Sequence, residues 1–299
     1  MLNKVDESIK NFIRELNEDI VTDLYDRISS GKKLRAKLIM KISSAKSHQA
    51  IILASIVEMI HAASLLHDDV IDEADTRRGK ESINFLFGNK TAIMLGDILY
   101  SKAFFELCNF SKDIAKTISN AVTLLSVGEL LDVELSHSFN TDKEKYFDMI
   151  YKKTASLIEA ASSSAAMLTG FDEKKFAVYG KNLGLAFQII DDVLDITSND
   201  KMLGKPAMND FKEGKTTLPY IFLYEKLNNK DREKLLTLFK KDISKSDQNW
   251  IKEKMQESRA LGKTLDIVNH LADEALDAIK DYKNKELEKI IKDMIQREY

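Results

Sequence analysis

The chain has 299 residues, 44% of them hydrophobic and 31% charged, an ordinary globular balance with room for one large domain or two small ones. A formal charge of −3 leaves nothing to suggest a nucleic-acid partner or a polybasic membrane-binding surface. The lone cysteine, Cys108, excludes an internal disulfide framework and fits a reducing compartment; with no basic pair beside it, it reads as a small core residue.

Only 2 prolines and 11 glycines interrupt the chain, and no strand-like alternation recurs, so the expected fold class is all-α. Residues 1–20 are charged throughout and lack the apolar core of a signal peptide. Positions 3–28 alternate apolar and charged residues at helical spacing until Ser29-Ser30-Gly31, where the basic cluster Lys32, Lys33, Arg35 and Lys37 begins. A helix is predicted from about His48. Its stretch 50–66 is the most apolar in the chain, yet it holds Glu58 and His61, which favours a buried core helix over a membrane span. The protein is therefore expected in the cytoplasm, with no transmembrane segment. A polar turn at 75–79 carries Arg77 and Arg78, and another helix starts near Thr91 and runs through Phe104 and Phe105. Further helices are predicted over 112–137, 142–170 and 172–196, the small-residue run 160–166 allowing two helices to approach closely. Segment 199–219 holds both prolines and the lysines Lys201, Lys205, Lys212 and Lys215, and reads as the longest loop. The charged, amphipathic tail 228–299 reads as outer helices. No linker appears, so residues 1–299 are expected to form a single domain.

The most informative feature is one acidic word written twice: Asp68-Asp69-Val70-Ile71-Asp72 and Asp191-Asp192-Val193-Leu194-Asp195. Each copy closes an apolar helical run. Residues four apart share a helix face, so Asp68 pairs with Asp72 and Asp191 with Asp195. Acids at a helix C-terminus meet the negative end of the macrodipole and gain nothing from it, so a cation is needed to justify them. Hard oxygen ligands of this kind suit Mg²⁺, which binds one or two carboxylates and completes its shell with water and phosphate. Behind Asp72 the same stripe holds Asp68 and His61; behind Asp195 it holds Asp191, Gln188 and Gly184. If the two helices face each other, six carboxylates surround one cavity and repel strongly unless cations and a diphosphate bridge them.

The bases form the complement. Lys32, Arg35, Arg77, Arg78, Lys153, Lys205 and Lys215 sit at turns or helix ends, where Arg grips phosphate as a fork and Lys as a point charge. Taken singly, each piece has a plainer reading. A lone acidic motif is a solvated helix end, Arg77-Arg78 a solvated pair, His61 a satisfied core histidine and Gln188 a surface amide. His67-Asp68 also fits the pair of a metal phosphohydrolase, but that chemistry needs further well-placed histidines. The repetition of the acidic word is what outweighs these readings.

The runs Ser64-Leu65-Leu66-His67-Asp68-Asp69-Val70-Ile71-Asp72 with Thr76-Arg77-Arg78-Gly79, and Phe187-Gln188-Ile189-Ile190-Asp191-Asp192-Val193-Leu194-Asp195, resemble the two aspartate-rich motifs of the trans-isoprenyl diphosphate synthases. Gly31-Lys32-Lys33-Leu34-Arg35, Lys153-Thr154, Gly204-Lys205 and Glu213-Gly214-Lys215-Thr216-Thr217-Leu218-Pro219 match in the same order. The resemblance implies a single-domain helical bundle around a deep central cavity (the isoprenoid synthase fold), usually a homodimer. It implies Mg²⁺-dependent elongation: an allylic diphosphate ionises, isopentenyl diphosphate attacks the carbocation, and a proton is lost. By that likeness Asp68, Asp72 and Asp191 are the metal ligands, and Asp69, Asp192 and Asp195 act through water or orient them. Arg77, Lys153, Thr154, Gln188, Lys205 and Lys215 hold the allylic diphosphate, and Lys153 also steadies the cation. Lys32, Arg35, His61 and Arg78 hold isopentenyl diphosphate. The chain departs from the family at Ser30, Lys33 and Ala36, where Gly, Arg and Pro are common, and at Glu129, where many members carry Gln. Asp132 is expected to approach the metals.

Ala63 and Ser64 lie one helical turn before Asp68, where short-chain members of the family carry a bulky aromatic. Two small residues imply an open tunnel and a long-chain product, as in octaprenyl diphosphate synthases, with transient membrane contact on product release. The plainer reading is helix packing, with another side chain, Phe104 or Phe105, as the floor. The alternatives are a farnesyl or geranylgeranyl synthase, a class I terpene cyclase, and a non-catalytic subunit of a synthase. The last would be expected to have lost an acidic triplet or the loop lysines, and both are intact.

Overall fold

The computed structural model describes residues 2–43, 48–197 and 208–296. They form helices α1 (Leu2–Arg14), α2 (Asp19–Arg27), α3 (Leu34–Ile42), α4 (His48–Ile71), α5 (Ile83–Phe87), α6 (Asn89–Leu107), α7 (Lys112–Leu135) and α8 (Lys143–Ile150). A π-helical turn (Tyr151–Ala155) leads into α9 (Ser156–Thr169) and α10 (Glu173–Thr197). Then come α11 (Asn209–Lys212), α12 (Leu218–Lys226), α13 (Asn229–Leu238), α14 (Lys245–Glu257), α15 (Ala260–Ile279) and α16 (Lys285–Ile295). A hairpin of two-residue strands, β1 (Thr76–Arg77) and β2 (Lys80–Glu81), is the only sheet among the described residues. The all-α expectation therefore holds.

The chain divides into two compact units, Met1–Val122 with Glu159–Ala177, and Thr123–Ile158 with Val178–Tyr299. In the first, α4 is the core. Leu53, Ile56, Val57, Met59, Ile60 and Ala63 are fully buried, and α1, α3 and α6 pack on it. Burying each large side chain contributes about 1.5–3 kcal/mol, which explains why a helix apolar all round sits inside. By length and composition α4 and α7 are both apolar enough to cross a membrane, but most of α4 is buried within the protein. On α1, Val5, Ile9, Phe12 and Ile13 form the inward stripe. The predicted helix over 3–28 is broken by Asn17, whose φ of 55° is left-handed and ends α1 before α2 begins. The small-residue run on α9 is buried, and the Ser43 hydroxyl, just past α3, donates to Ala165 O at 3.3 Å.

The turn at 75–79 is the hairpin tip. Arg78 (φ 55°) and Gly79 (φ 73°) occupy the left-handed pair of positions that a two-residue hairpin turn demands. Two expectations need correction. Cys108 is not a core residue: it is exposed just past α6, where the helix ends. Phe105 is 67% exposed and cannot be an internal floor within this unit.

In the second unit, Phe211 and Tyr220 stack with centroids 4.5 Å apart, joining α11 to α12. The Tyr179 hydroxyl donates to Leu287 O at 3.0 Å and Asn182 Nδ2 to Glu274 Oε2 at 3.0 Å, tying α10 to α16 and α15.

Candidate active site

In the first unit a cationic cluster forms where α3, α4 and the hairpin meet. The guanidinium of Arg78 donates to Ser29 O at 2.9 Å and lies directly on Gly31, where a Cβ would come within 2.5 Å of Nη2. This explains glycine at the head of the basic cluster. Arg35, two residues into α3, has its Nε buried without a partner. Burial lowers Arg35 to about 10. His61 is held well below its ordinary range by burial and by Arg35, Arg78 and Arg77, so its imidazole is neutral. Glu58, one turn before it, accepts from the Ala36 amide at 2.9 Å; burial raises its carboxyl, against the pull of that bond and of Arg35, Lys33 and Arg78. Three arginines thus converge near a neutral histidine and two carboxylates, Glu58 and the Asp69 that bonds Arg77, which leaves an excess of positive charge suited to a diphosphate. Lys32 is exposed in the loop before α3, and Lys33 bonds Asp6.

The first acidic word ends α4. Asp69 is buried and accepts from Arg77 Nε at 2.5 Å, while Asn84 Nδ2 donates to Asp69 O and Ala74 O at 3.1 Å each. Asp69 therefore fastens the hairpin. Asp68 is half-buried, and Asp72 is exposed just beyond the helix.

In the second unit the π-helical turn carries Lys153 and Thr154. Lys153 Nζ lies 2.6 Å from Asp132 Oδ2 and 2.9 Å from Glu129 Oε2. Asp132 thus meets Lys153. Gly128 makes room for this turn, since a Cβ there would stand 2.2 Å from the Lys153 backbone nitrogen. The Thr154 hydroxyl donates to Gln188 Oε1 at 2.8 Å, Gln188 Nε2 donates to Asp192 Oδ1 at 2.9 Å, and the Tyr146 hydroxyl donates to Asp192 Oδ2. Asp195 accepts from the Asn209 and Asp210 amides at 3.2 Å each. Both buried acids, Asp192 and Asp195, are pushed well above the carboxylate range by burial and then by the charge of Asp210. A cavity of about 170 Å³ is lined by Asp132, Lys153, Thr154, Gln188, Asp192, Asp210 and Lys215 among others. Lys215 Nζ is 2.8 Å from Glu213 Oε2.

The donor set fits a hard divalent cation. Asp192 and Asp195 are committed to protein donors, and their crowding with Asp210 is relieved by added positive charge. Among the described residues no three His, Cys, Asp or Glu side chains form a ready-made cage.

Of the residues singled out in the sequence, Arg35, His61, Arg77 and Arg78 gather in one unit, and Lys153, Thr154, Gln188, Asp192 and Lys215 line the cavity of the other. Lys205 lies outside the described residues. Ala63 and Ser64 are both buried in α4, the Ser64 hydroxyl donating to His61 O at 2.9 Å. Sequence reasoning missed Tyr146, Asp210 and the role of Glu58. Only Asp210 offered a signal, as an acid inside the lysine-rich loop.

A helical scaffold carrying two acidic triplets, a cluster of arginines and a cavity lined by lysines and acids fits a diphosphate-handling enzyme. Residues 18–258 match the Polyprenyl synthetase family, and the chain belongs to it. The structure superposes on octaprenyl pyrophosphate synthase from Helicobacter pylori with a TM-score of 0.95 and 47% identity, over 99% of this chain and 98% of that one. It is also similar to a polyprenyl synthase from Caulobacter crescentus complexed with calcium and isoprenyl diphosphate (TM-score 0.90, 30% identity, 100% and 95% covered). A short chain isoprenyl diphosphate synthase from Methanothermobacter thermautotrophicus is 33% identical over 100% of this chain and 98% of its own. The isoprenoid synthase fold and a chain-elongating prenyltransferase activity follow.

Proposed function

We propose that this prenyltransferase condenses isopentenyl diphosphate with an allylic diphosphate, in the presence of Mg²⁺, to give a long-chain all-trans polyprenyl diphosphate. The carrying observation is the cationic cluster: Arg35, with a buried and unpartnered Nε, stands with Arg77 and Arg78 around a neutral His61. Arg35, Arg78, His61 and Lys32 hold isopentenyl diphosphate. Arg77, Lys153, Thr154, Gln188, Lys205 and Lys215 hold the allylic diphosphate.

Asp68, Asp72 and Asp191 would hold the magnesium, with Asp69, Asp192 and Asp195 orienting them. Magnesium supplies Lewis-acid neutralisation of the departing diphosphate. The arginines and lysines add fixed positive charge where the leaving group becomes more negative. The apolar helices keep water from the allylic cation, and the departing diphosphate takes the proton, so no protein base is required. Lys153 keeps its ammonium at the cavity through Asp132 and Glu129.

Both units act as one catalytic domain in this reading, since α7, α9 and α10 each run through the division between them. The protein works in the cytoplasm as a homodimer. Met94 and Phe105, 56% and 67% exposed on α6, support a partner there. The small pair Ala63 and Ser64 and the octaprenyl synthase likeness favour a long product; the short-chain relative favours a farnesyl or geranylgeranyl product. Pure protein incubated with Mg²⁺, radiolabelled isopentenyl diphosphate and a series of allylic diphosphates decides between them by product size. No elongation with any primer would refute the reading.

A further inference from the structure

Glu58 is an acid among the arginines proposed above to hold isopentenyl diphosphate. Its Oε1 accepts from the Ala36 amide at 2.9 Å, in the first turn of α3. That helix lacks a cap of its own: Lys33, at the capping position, is left-handed (φ 51°) and makes no side-chain bond to the helix start. An orphan amide in the first turn therefore depends on a side chain from another helix. The charges of Arg35, Lys33 and Arg78 all act on the same carboxylate. Glu58 is thus bonded to the backbone beside Arg35 and lies within electrostatic reach of Arg35 and Arg78.

We propose that Glu58 is a positioning residue. By capping α3 at Ala36 and standing against Arg35 and Arg78, it holds both guanidiniums where the diphosphate of isopentenyl diphosphate binds. A carboxylate in an anion site costs some attraction. Arg77 is bonded to Asp69, so three arginines face two acids and the group keeps its positive sign. Without Glu58, Arg35 loses its counter-charge in a buried site and α3 loses its cap. The inference rests on the assignment of Arg35 and Arg78 to that diphosphate.

Steady-state kinetics of Glu58→Ala, Glu58→Gln and Arg35→Lys, with both substrates varied, test it. Glu58→Ala should raise KM for isopentenyl diphosphate about 10-fold, as expected for losing a hydrogen bond and a charge together, and leave KM for the allylic primer little changed. Glu58→Gln keeps an acceptor for Ala36 and should fall between Glu58→Ala and the natural protein. It also decides the matter if Glu58→Ala does not fold. Arg35→Lys should raise KM for isopentenyl diphosphate; if it does not, the assignment of the arginines fails. If Arg35→Lys is impaired while both Glu58 variants keep the natural KM, the inference alone is overturned. Equal rises in both KM values with a lowered melting temperature would reduce Glu58 to a structural role and overturn it too.

Discussion

Gln188 Nε2 donates to Asp192 Oδ1 at 2.9 Å, which fixes a buried acid of the second acidic word from within its own helix. The Gln188 Oε1 is engaged by Thr154, so neither end of the amide is free to turn. In the proposed reaction an acid held in this way by Gln188 and Tyr146 keeps the end of α10, and with it Asp191, in place for magnesium. Gln188→Leu, similar in bulk but without donors, should lower kcat/KM about 10–100-fold and weaken the apparent affinity for Mg²⁺. Magnesium titrations of initial rate check this. An unchanged Mg²⁺ dependence would remove Gln188 from the support of the metal site.

Two glycines should separate function from stability. At Gly31 an added Cβ meets the guanidinium of Arg78, the far end of a flexible side chain that gives way. Gly31→Ala should therefore change stability by no more than about 0.5 kcal/mol, while displacing Arg78 and raising KM for isopentenyl diphosphate. At Gly128 the added Cβ meets the backbone of Lys153 instead, 2.2 Å from its nitrogen. Gly128→Ala should cost about 1–3 kcal/mol or more and lower the melting temperature, because a main chain cannot swing aside. Thermal melts beside kinetics for the pair decide it, and equal melts for both would contradict the packing argument.

How much of this was legible in the sequence depended on how local the cause was. Helices α4 and α10 follow from long apolar runs with acids at their ends, and their observed limits, His48–Ile71 and Glu173–Thr197, lie close to the predicted ones. The cationic cluster was legible as a residue set, because glycine, lysine and arginine stand together near the start of α3. The π-helical turn under Lys153 carries no compositional mark, because one extra residue per turn is settled by packing, whereas the break at Asn17 falls on a residue type that tolerates the left-handed region. Tyr146 reaches Asp192 across 46 positions, and Glu58 reaches Ala36 across 22, so neither link has a local signature. Cys108 was misjudged for the same reason, since its exposure depends on how the chain packs around the end of α6.

His61 gives the protein a defined response to acid. Burial, followed by Arg35, Arg78 and Arg77, holds the folded imidazole well below its ordinary range. The unfolded chain protonates it near pH 6.5, about the unperturbed value. Below that pH the unfolded state takes up a proton that the folded state refuses, so this contribution is full above about pH 6.5 and is lost as pH falls toward the folded value. Glu58 acts in the opposite sense: its raised carboxyl contributes fully below the ordinary carboxylate range and loses that contribution as pH rises through its folded value. His61→Gln removes only the first. Between about pH 7 and pH 5 the natural protein should lose more melting temperature than His61→Gln, and parallel slopes would show that His61 does not titrate in this way.

In the proposed reaction the length of the product turns on Ala63 and Ser64. Both are buried in α4, 0% and 4% exposed, one turn before Asp68. If the growing chain passes this point, a ring placed here blocks it after fewer additions. Ala63→Phe should then shift the product toward shorter chains by whole isoprene units, with turnover of the first condensation retained. The added bulk should cost about 1–3 kcal/mol of stability, because a fully buried alanine leaves no space for a ring without local movement. Sizing the radiolabelled products of both proteins at equal conversion checks the shift. A folded Ala63→Phe protein that makes the natural product would show that Ala63 only packs one helix against another and that the chain runs elsewhere.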